Sequence, residues 1–373
     1  MVNEVNLSLY LICHHGNWDD FILDARLIQR VSFEKWMPIT YFFSGIQLDK
    51  MSKHRYEIWN KLWFDLVGAM QGEHFINPRR GMYDPHKPEL GIMTYNHAPL
   101  VQPWLVDQRE YLEGILPDQI ERSKQVAEQE FHKTPVTFHP PDGVYAPAAA
   151  YKLKQHSLDT VVVSGEFLGD NRHAKGVLYW ASGLRHLMRT NDVQPQSSEF
   201  WEGRNIADGA RNFVDAVEAY GHKHDIGQVV VGCDIDEFTK RIDLKDGIAR
   251  LCCIGDEVYR RNGRVTMIDC NTASYWNLHQ TNIESIWPWD HIHAMQNSEG
   301  NLDWIIRNRN DMVNHVVWLI GQRYREGWDV RQAKECLYRA TDSALRHSDY
   351  GYDSWMTNHF WGNINEARRL LQG

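Results

Sequence analysis

Imidazole and carboxylate side chains follow four separate apolar runs of the sequence, at the point where each run ends. In chain order these groups are His14 with His15, His97, His139 with Asp142, and Asp234 with Asp236 and Glu237. Two carboxyl groups that face each other supply a nucleophile and a proton donor, while imidazoles donate hydrogen bonds to hydroxyls or coordinate metals. So many polar groups after separate runs exceed what packing requires, and they predict one catalytic site.

Each of these groups alone has an ordinary structural explanation. A single His or Asp after a strand commonly caps or hydrogen-bonds a turn, and the two prolines after His139 are compatible with a rigid turn. Asp236 and Glu237 are also typical of a helix start, where the helix dipole favours anions. Asp234 comes directly after an apolar run, which favours a functional role. Only the joint occurrence of the four groups favours catalysis.

The elements that must position these groups alternate between short apolar runs and longer helical patterns. The predicted strands are 7–13, 39–43, 90–93, 136–138, 160–164, 177–179, 229–233 and 264–268. Helical spacing of apolar residues predicts helices at 52–70, 111–131, 205–219, 305–325, 330–348 and 360–371. Alternating strands and helices are typical of parallel βα units, and the C-terminal strand ends of such a barrel form one site. We therefore expect an α/β barrel over residues 1–265 and a helical region over 266–373.

Composition excludes several classes of function. The 373 residues carry a net charge of −9 with scattered lysines and arginines, so nucleic acid is not an expected partner. No run approaches the roughly 18 apolar residues of a membrane helix, and no GxGxxG or GxxxxGK[ST] motif occurs. The six cysteines form no CxxC pair, which favours reduced thiols in a cytoplasmic protein. The composition is compatible with a homo-oligomer. The 15 Trp and 16 Tyr residues are compatible with aromatic stacking on the rings of a sugar substrate.

The order and spacing of five motifs resemble glycoside hydrolase family 57, a group of retaining enzymes on an incomplete (β/α)7 barrel followed by a helical region. The resemblance covers most of the chain. The motifs are HHG at 14–16, ELGIMTYNHAPL at 89–100, FHPPDGV at 138–144, VVVGCDIDEF at 229–238 and HSDYGY at 347–352. The second motif is the most specific, with a Glu followed eight residues later by a His and a nearby Pro.

The resemblance implies a parallel barrel and a role for each matched residue. Asp142 corresponds to the nucleophile and Asp234 to the general acid/base of a retaining glycosidase, which needs no cofactor. The implied substrate-binding residues for a carbohydrate are His14, His15, Trp18, His97, His139, Asp236, Glu237, Asp349 and Trp355. Among them, His14 and His97 are expected to hold hydroxyls, and Trp18 or Trp355 to stack on a sugar ring.

Departures from the family leave two alternatives open. Asp142 is one methylene shorter than the Glu of the family, and His15 and His139 replace an amide and an aromatic residue. The added imidazoles favour a metal-dependent amide or ester hydrolase that resembles the polysaccharide deacetylase (NodB-like) group, although its His-xxx-His pair is absent. Its ligands to a divalent metal such as zinc are predicted to come from His14, His15, Asp19, His97 and Asp142.

The second alternative is a catalytically altered homologue that only binds glycans, which would explain the shorter side chain at position 142. Arg185 and Arg189 follow the sixth predicted strand. They are compatible with binding a charged substrate group, but a solvated helix or loop face is the more common role of such arginines.

Overall fold

The structure is a computed structural model that describes most of the chain. The described residues are 3–13, 18–35, 37–54, 66–68, 70, 88–97, 111–141, 145, 147–164, 178–181, 183–275, 278–279, 303–340 and 354–372. Among the helices in these ranges, none combines the length and the apolar character needed to cross a membrane. All six cysteines are free thiols.

Ten strands lie within the described residues. They are β1 (Val5–Cys13), β2 (Thr40–Phe43), β3 (Glu89–Ile92), β4 (Thr137–Phe138), β5 (Thr160–Ser164), β6 (Leu178–Ala181), β7 (Leu184–Arg189), β8 (Gln228–Asp234), β9 (Val265–Met267) and β10 (Leu278–His279). Seven of them pair side by side in parallel in the order β1-β2-β3-β4-β5-β7-β8, with β8 next to β1. The pairing of Arg189 with Val230 closes the ring. The predicted incomplete (β/α)7 barrel with parallel strands is therefore confirmed.

One strand of the barrel is absent from the sequence prediction. β7 completes the ring, whereas the run predicted at 177–179 corresponds to β6, which pairs antiparallel with β7 and lies outside the ring. The turn between them contains Gly183, whose φ of 79° lies in the left-handed region that favours glycine. Arg185 and Arg189, which were expected after a strand, are part of β7.

Twelve α-helices surround the barrel within the described residues. They are α1 (Trp18–Lys35), α2 (Gly45–His54), α3 (Leu116–Phe131), α4 (Pro147–Gln155), α5 (Ser198–Trp201), α6 (Ile206–His224), α7 (Asp236–Thr239), α8 (Leu244–Arg260), α9 (Cys270–Ala273), α10 (Asp303–Arg325), α11 (Arg331–Ala340) and α12 (Ser354–Gln372). A π-helical turn, Tyr111–Ile115, leads directly into α3. Helices α1, α4 and α8 lie where the sequence analysis predicts none. Helix α2 overlaps the helix predicted at 52–70 only at residues 52–54, and residues 55–65 of that prediction lie outside the described part.

Helix α6 illustrates how local sequence sets the bounds of an element. The Asn205 side chain accepts a hydrogen bond from the N–H of Asp208 at 2.9 Å and caps the first turn. Phe213 and Val217 lie on the buried face. The helix ends at His224, five residues after the predicted end, and the next residue, Asp225, adopts a left-handed φ of 52°.

The barrel wall separates two groups of buried apolar side chains. The smaller group fills the interior with the strand residues Tyr10, Phe42, Val162, Leu187 and Val230. Residues of the segment 268–273, which contains α9, also belong to this group. Alternate residues of the same strands belong to a larger group, which packs beneath the helices. Because strand side chains alternate between the two faces, the smaller group identifies the inward-facing positions of each strand.

Two strand glycines make room for the aromatic rings in this interior. A β-carbon on Gly232 would lie 2.4 Å from the Tyr10 ring, and one on Gly91 would lie 2.4 Å from the Phe42 ring. Both distances are far below van der Waals contact. The interior can therefore hold two large rings only because the neighbouring strands carry glycine at these positions.

The amino-terminal ends of the strands are closed by a network around Glu89, the buried first residue of β3. Its carboxylate accepts hydrogen bonds from the hydroxyls of Thr40, at 2.7 Å, and Thr137, and from the N–H of Asn271 at 3.0 Å. The Thr40 hydroxyl also accepts from the N–H of Cys270 at 2.9 Å, which attaches α9 to the barrel. Burial raises the pKa of Glu89 to about 7. Glu89, the first residue of the second motif, thus lies at the closed end.

The three C-terminal helices pack against one another and contact the barrel through α3. Asp118 on α3 accepts hydrogen bonds from the Lys334 ammonium at 2.5 Å and from the Tyr338 hydroxyl at 2.9 Å. Arg122 and Glu335 form an ion pair between the same helices. The predicted C-terminal helical region is confirmed, while the boundary at residues 265 and 266 stays a prediction.

Candidate active site at the carboxyl ends of the strands

The four strands that precede the predicted site residues end on one rim of the barrel. β1 ends at Cys13, β3 at Ile92, β4 at Phe138 and β8 at Asp234. Since the pairings β1–β8, β1–β2, β2–β3 and β3–β4 are all parallel, these four ends share one edge. Polar groups that follow them are therefore delivered to one mouth, as a barrel active site requires.

Asp234 is the last residue of β8 and faces the inside of the mouth. It is paired in register with Ile12, and it lies four residues after Val230, which is part of the interior group. The alternation of strand side chains therefore directs Asp234 inward. The residue is exposed to solvent. Its carboxyl group therefore lies at the open mouth of the barrel, and its catalytic role stays a prediction.

Asp236 and Glu237 belong to the short helix α7, directly after Asp234. The Asp236 carboxylate lies 3.2 Å from the Lys240 ammonium, and the Glu237 carboxylate lies 2.9 Å from the Arg241 guanidinium. Burial raises the pKa of Glu237, and the positive charge of Arg241 acts in the opposite direction. Each carboxylate has a cation one helical turn later, and the substrate-binding role of both residues stays a prediction.

His97 lies in the turn after β3 and adopts an unusual backbone conformation. Its φ is 54°, and its N–H donates a hydrogen bond to the carbonyl of Thr94 at 3.1 Å. The residue is buried. A left-handed conformation of a residue with a β-carbon costs about 1 kcal/mol or more, and it also occurs at His132, Ser157, Asp225 and Asn262. The substrate-binding role of His97 stays a prediction.

His139 packs into the barrel interior immediately after β4. Its ring centroid lies 5.2 Å from that of Tyr10 and 5.3 Å from that of Phe42, and the residue is only 3% exposed. The N–H of His139 donates to the carbonyl of Ile92 at 3.0 Å, which continues the strand pairing past Phe138. The imidazole is therefore held rigidly between two aromatic rings beneath the mouth.

Tyr10 and Arg189 are two interior polar groups that the sequence analysis does not include in the site. Burial raises the pKa of the Tyr10 phenol to about 12, and the positive charge of Arg189 acts against that shift. Arg189 lies two residues after the inward-facing Leu187. The sequence indicates that Arg189 faces the interior only if residues 184–189 are recognised as a strand. Leu187 and Arg189 then lie on the same face, because strand side chains alternate.

Buried carboxamides form a third group near the ends of β2 and β3. The N–H of Asn96 donates to the side-chain oxygen of Gln119 at 2.8 Å, and the N–H of Ile46 donates to the carbonyl of Tyr95 at 2.8 Å. These bonds bring Gln47, in the first turn of α2, close to Asn96. Both polar side-chain atoms of Gln47 and of Asn96 are buried without a hydrogen-bond partner in the part of the chain that the structure describes. Such atoms require water or a ligand.

Several predicted site residues lie outside the described part of the structure. They are His14, His15, Asp142 and Asp349, together with the side chains of Trp18, Asp19 and Trp355, whose backbones belong to α1 and α12. Of the five predicted metal ligands, only His97 has a described side chain. Among the described residues, no group of three or more His, Cys, Asp or Glu side chains could hold a metal ion.

Comparison with solved structures identifies the fold. No protein-family model and no curated protein matches the sequence. The α-amylase AmyC from Thermotoga maritima matches with a TM-score of 0.71 and 12% identity, over 99% of this chain and 93% of that one. A 4-α-glucanotransferase from Thermococcus litoralis matches with a TM-score of 0.68 and 12% identity, over 99% of this chain. This chain has the fold of these proteins.

A third solved structure extends the comparison. An exo-type maltose-forming amylase from Pyrococcus sp. ST04 matches with a TM-score of 0.60 and 12% identity, over 99% of this chain and 73% of that one. The chain spans 60% of the length of the glucanotransferase. The resemblance predicted from the motif order is confirmed at the level of the fold.

Proposed function

We propose that this protein hydrolyses or transfers glycosidic bonds of a carbohydrate, with Asp142 as the nucleophile and Asp234 as the general acid/base. The observation that carries the proposal is the inward direction of Asp234 at the open end of β8. The fold is that of an α-amylase and a glucanotransferase, which supports the same class of substrate.

The proposed reaction proceeds in two displacements at the anomeric carbon. The Asp142 carboxylate attacks this carbon while the Asp234 carboxyl donates its proton to the leaving oxygen, which leaves a glycosyl ester on Asp142. The Asp234 carboxylate then removes a proton from water or from a sugar hydroxyl, whose oxygen displaces Asp142 and restores both groups. This scheme needs the two carboxyl groups about 5 to 5.5 Å apart.

The remaining site residues are assigned to binding the sugar. Imidazoles at His14, His15, His97 and His139 would hydrogen-bond hydroxyl groups, and Trp18 or Trp355 would stack on the apolar face of a ring. Asp236, Glu237 and Asp349 would accept hydrogen bonds from other hydroxyls. The rigid packing of His139 between two rings suits this role, because a fixed donor selects one orientation of the substrate.

Substitution of Asp142 tests the proposal. We expect Asp142→Asn to abolish turnover without changing the melting temperature, because an amide is a poor nucleophile. Asp142→Glu is the matched variant, since it restores the side chain of the family. Increased turnover of an aryl α-glycoside by Asp142→Glu would indicate a weakened glycosidase, whereas full turnover by Asp142→Asn would exclude Asp142 as the nucleophile.

We further propose that the reaction needs no metal. Elemental analysis of the purified protein, followed by dialysis against a chelator, tests this point directly. We expect turnover to survive the chelator. Stoichiometric zinc that is lost together with activity would instead support a metal-dependent amide or ester hydrolase with ligands from His14, His15, Asp19, His97 and Asp142.

A further inference from the structure

A groove of about 330 Å³ lies between the π-helical turn at 111–115 and the C-terminal helices α10 and α11. It is separate from the interior of the barrel. Helix α3, which continues the π-helical turn, is joined to the rim, since the carbonyl of Gln119 accepts from the N–H of Tyr95 at 3.2 Å just after β3. The groove therefore lies at the same rim as Asp234.

Two exposed aromatic rings line this groove on α10. Trp318 is 51% exposed and Tyr324 is 70% exposed, and both are among the groove residues. Gly321 lies three residues from each, so the two rings are turned about 120° apart around the helix axis with the glycine between them. The groove thus has two rings with an open notch between them. The Trp318 ring stacks on His315, with ring centroids 6.1 Å apart, and grouped exposed aromatic rings of this kind form a candidate binding surface.

The chain's own packing explains neither glycine of the groove. A β-carbon on Gly114 would have no neighbour within 4 Å, and one on Gly321 would meet only the Arg325 guanidinium at 3.6 Å. Neither residue is among the glycines with a positive φ. A glycine inside a helix costs about 0.5 to 1 kcal/mol relative to alanine. The open space at Gly321 is therefore kept at the expense of helix stability.

Three charged residues line the groove, and two of them form ion pairs. Lys334 contacts Asp118 at 2.5 Å, and Glu113 contacts Lys152 at 2.5 Å. The guanidinium of the third, Arg325, lies 3.6 Å from the place of a β-carbon on Gly321 and can donate hydrogen bonds to hydroxyl groups. The groove therefore suits a ligand that has apolar faces for the rings and hydroxyls for the guanidinium and the edge. Linked sugar rings have this chemistry.

We propose that the groove binds an oligosaccharide strand at a second site, outside the catalytic mouth. This inference rests on the proposed function for its class of ligand. Trp318 and Tyr324 stack on sugar faces, and the notch at Gly321 admits the strand between them. A strand held here at the rim would stay close to the mouth through repeated reactions, since a second attachment raises its effective concentration.

The test is calorimetric titration of the full chain carrying Asp234→Asn, which is expected to slow turnover, with maltoheptaose, cellohexaose and chitohexaose. At least one of these probes is expected to bind two sites per chain. Gly321→Leu and Trp318→Ala are each expected to weaken one site by roughly tenfold or more. The matched control is Gly362→Leu, in α12, where a β-carbon also meets nothing within 4 Å.

Both leucine variants are expected to raise the melting temperature, because each replaces a helix glycine. Only Gly321→Leu should lose a binding site. Equal binding by the Gly321→Leu and Gly362→Leu variants, or binding of none of the three probes, would overturn the proposal. A self-association of the wild-type chain that Trp318→Ala abolishes would also overturn it, because the groove would then be an interface between copies.

Turnover of a short aryl glycoside by the same groove variants, with Asp234 intact, separates this inference from the proposed function. Such a substrate is too short to reach both sites, so its turnover should be unchanged by Gly321→Leu. If the wild-type chain turns over no glycoside but still binds an oligosaccharide in the groove, the catalytic proposal fails while the groove proposal stands.

Discussion

The two ends of the barrel differ in what their buried polar groups contact. At the amino-terminal end, the Glu89 carboxylate accepts three hydrogen bonds from Thr40, Thr137 and Asn271. At the carboxyl end, the side-chain amide atoms of Gln47 and Asn96 are buried without a hydrogen-bond partner among the described residues. The amino-terminal end also has such atoms, since the Thr160 hydroxyl and the Gln228 side-chain oxygen are buried without a partner among these residues. Buried polar atoms that lack partners cost stability unless water or a ligand supplies them. The Glu89 network therefore closes one end, and the proposed site at the other end has amide atoms available to a ligand.

The largest effect should come from the open end. Asp234→Asn is expected to lower kcat/KM by about 10²- to 10⁴-fold, the range for loss of a general acid/base. Asp246→Asn, an exposed carboxylate on α8, is the control and should leave turnover unchanged. Steady-state kinetics and the melting temperature of both variants check this. Full turnover by the Asp234→Asn variant would remove the basis for treating this rim as the active site.

The closed end should affect stability instead of activity. Thr40→Val removes the hydroxyl that donates to Glu89 and accepts from Cys270, so the free energy of unfolding should fall by about 1 to 3 kcal/mol. Thr160→Val is the matched control, because the Thr160 hydroxyl is buried without a partner. Urea unfolding of both variants measures the difference. An equal loss of stability in both would mean that the Glu89 network does not hold this end together.

The pH dependence of stability sharpens the same contrast. Burial and the neighbouring Asp269 raise the pKa of Glu89 from its usual 4.5 to about 7, against hydrogen bonds from Thr40, Thr137 and Asn271. The folded state therefore binds more protons than the unfolded state between these values. The contribution of Glu89 to stability is full below about pH 4.5 and is lost as the pH rises through 7.

The substitution Glu89→Gln removes this titration. Between pH 4.5 and 7 the wild-type chain should lose stability relative to the variant, and urea unfolding at several pH values measures the difference. Parallel stability curves for the two proteins would show that Glu89 does not titrate in this window.

The smallest effect on stability is expected at the carboxamides of the open end. Gln47→Met keeps the shape of the side chain and removes two buried polar atoms without partners, so stability should be unchanged or slightly higher. The KM for an oligosaccharide should rise if these atoms contact the substrate. Thermal unfolding and steady-state kinetics check both points. A loss of stability as large as that of Thr40→Val would mean that the two ends do not differ in this respect.

The sequence predicts the strands that contain an apolar run of several residues. β1, β5 and β8 lie close to their predicted bounds because both faces of a parallel strand are buried. β7 is not predictable in this way, since Arg185, His186 and Arg189 interrupt its apolar pattern. Arg185 stacks on Tyr275, and His186 contacts the hydroxyl of Tyr145 at 2.6 Å. These contacts stabilise the two polar residues within the strand, and they cannot be read from the sequence because their partners lie far away along the chain.

The candidate site is predictable only where a polar residue directly follows an apolar run. Asp234 and His139 fulfil this condition, and the structure describes both near the mouth. Tyr10 and Phe42 are indistinguishable from ordinary core residues in the sequence, because an aromatic residue in a buried strand faces either side. Gln47 and Gln119 carry no motif, and they become part of the rim only because α2 and α3 pack against the end of β3.

The central claim is that Asp234 acts on a glycosyl ester formed at Asp142. Turnover of an aryl α-glycoside with a good leaving group by the Asp234→Ala variant, measured with and without azide, tests it most directly. The account predicts that azide accelerates turnover and that the product is a glycosyl azide with the anomeric configuration of the substrate. No acceleration by azide, or a product of the opposite configuration, would contradict the account.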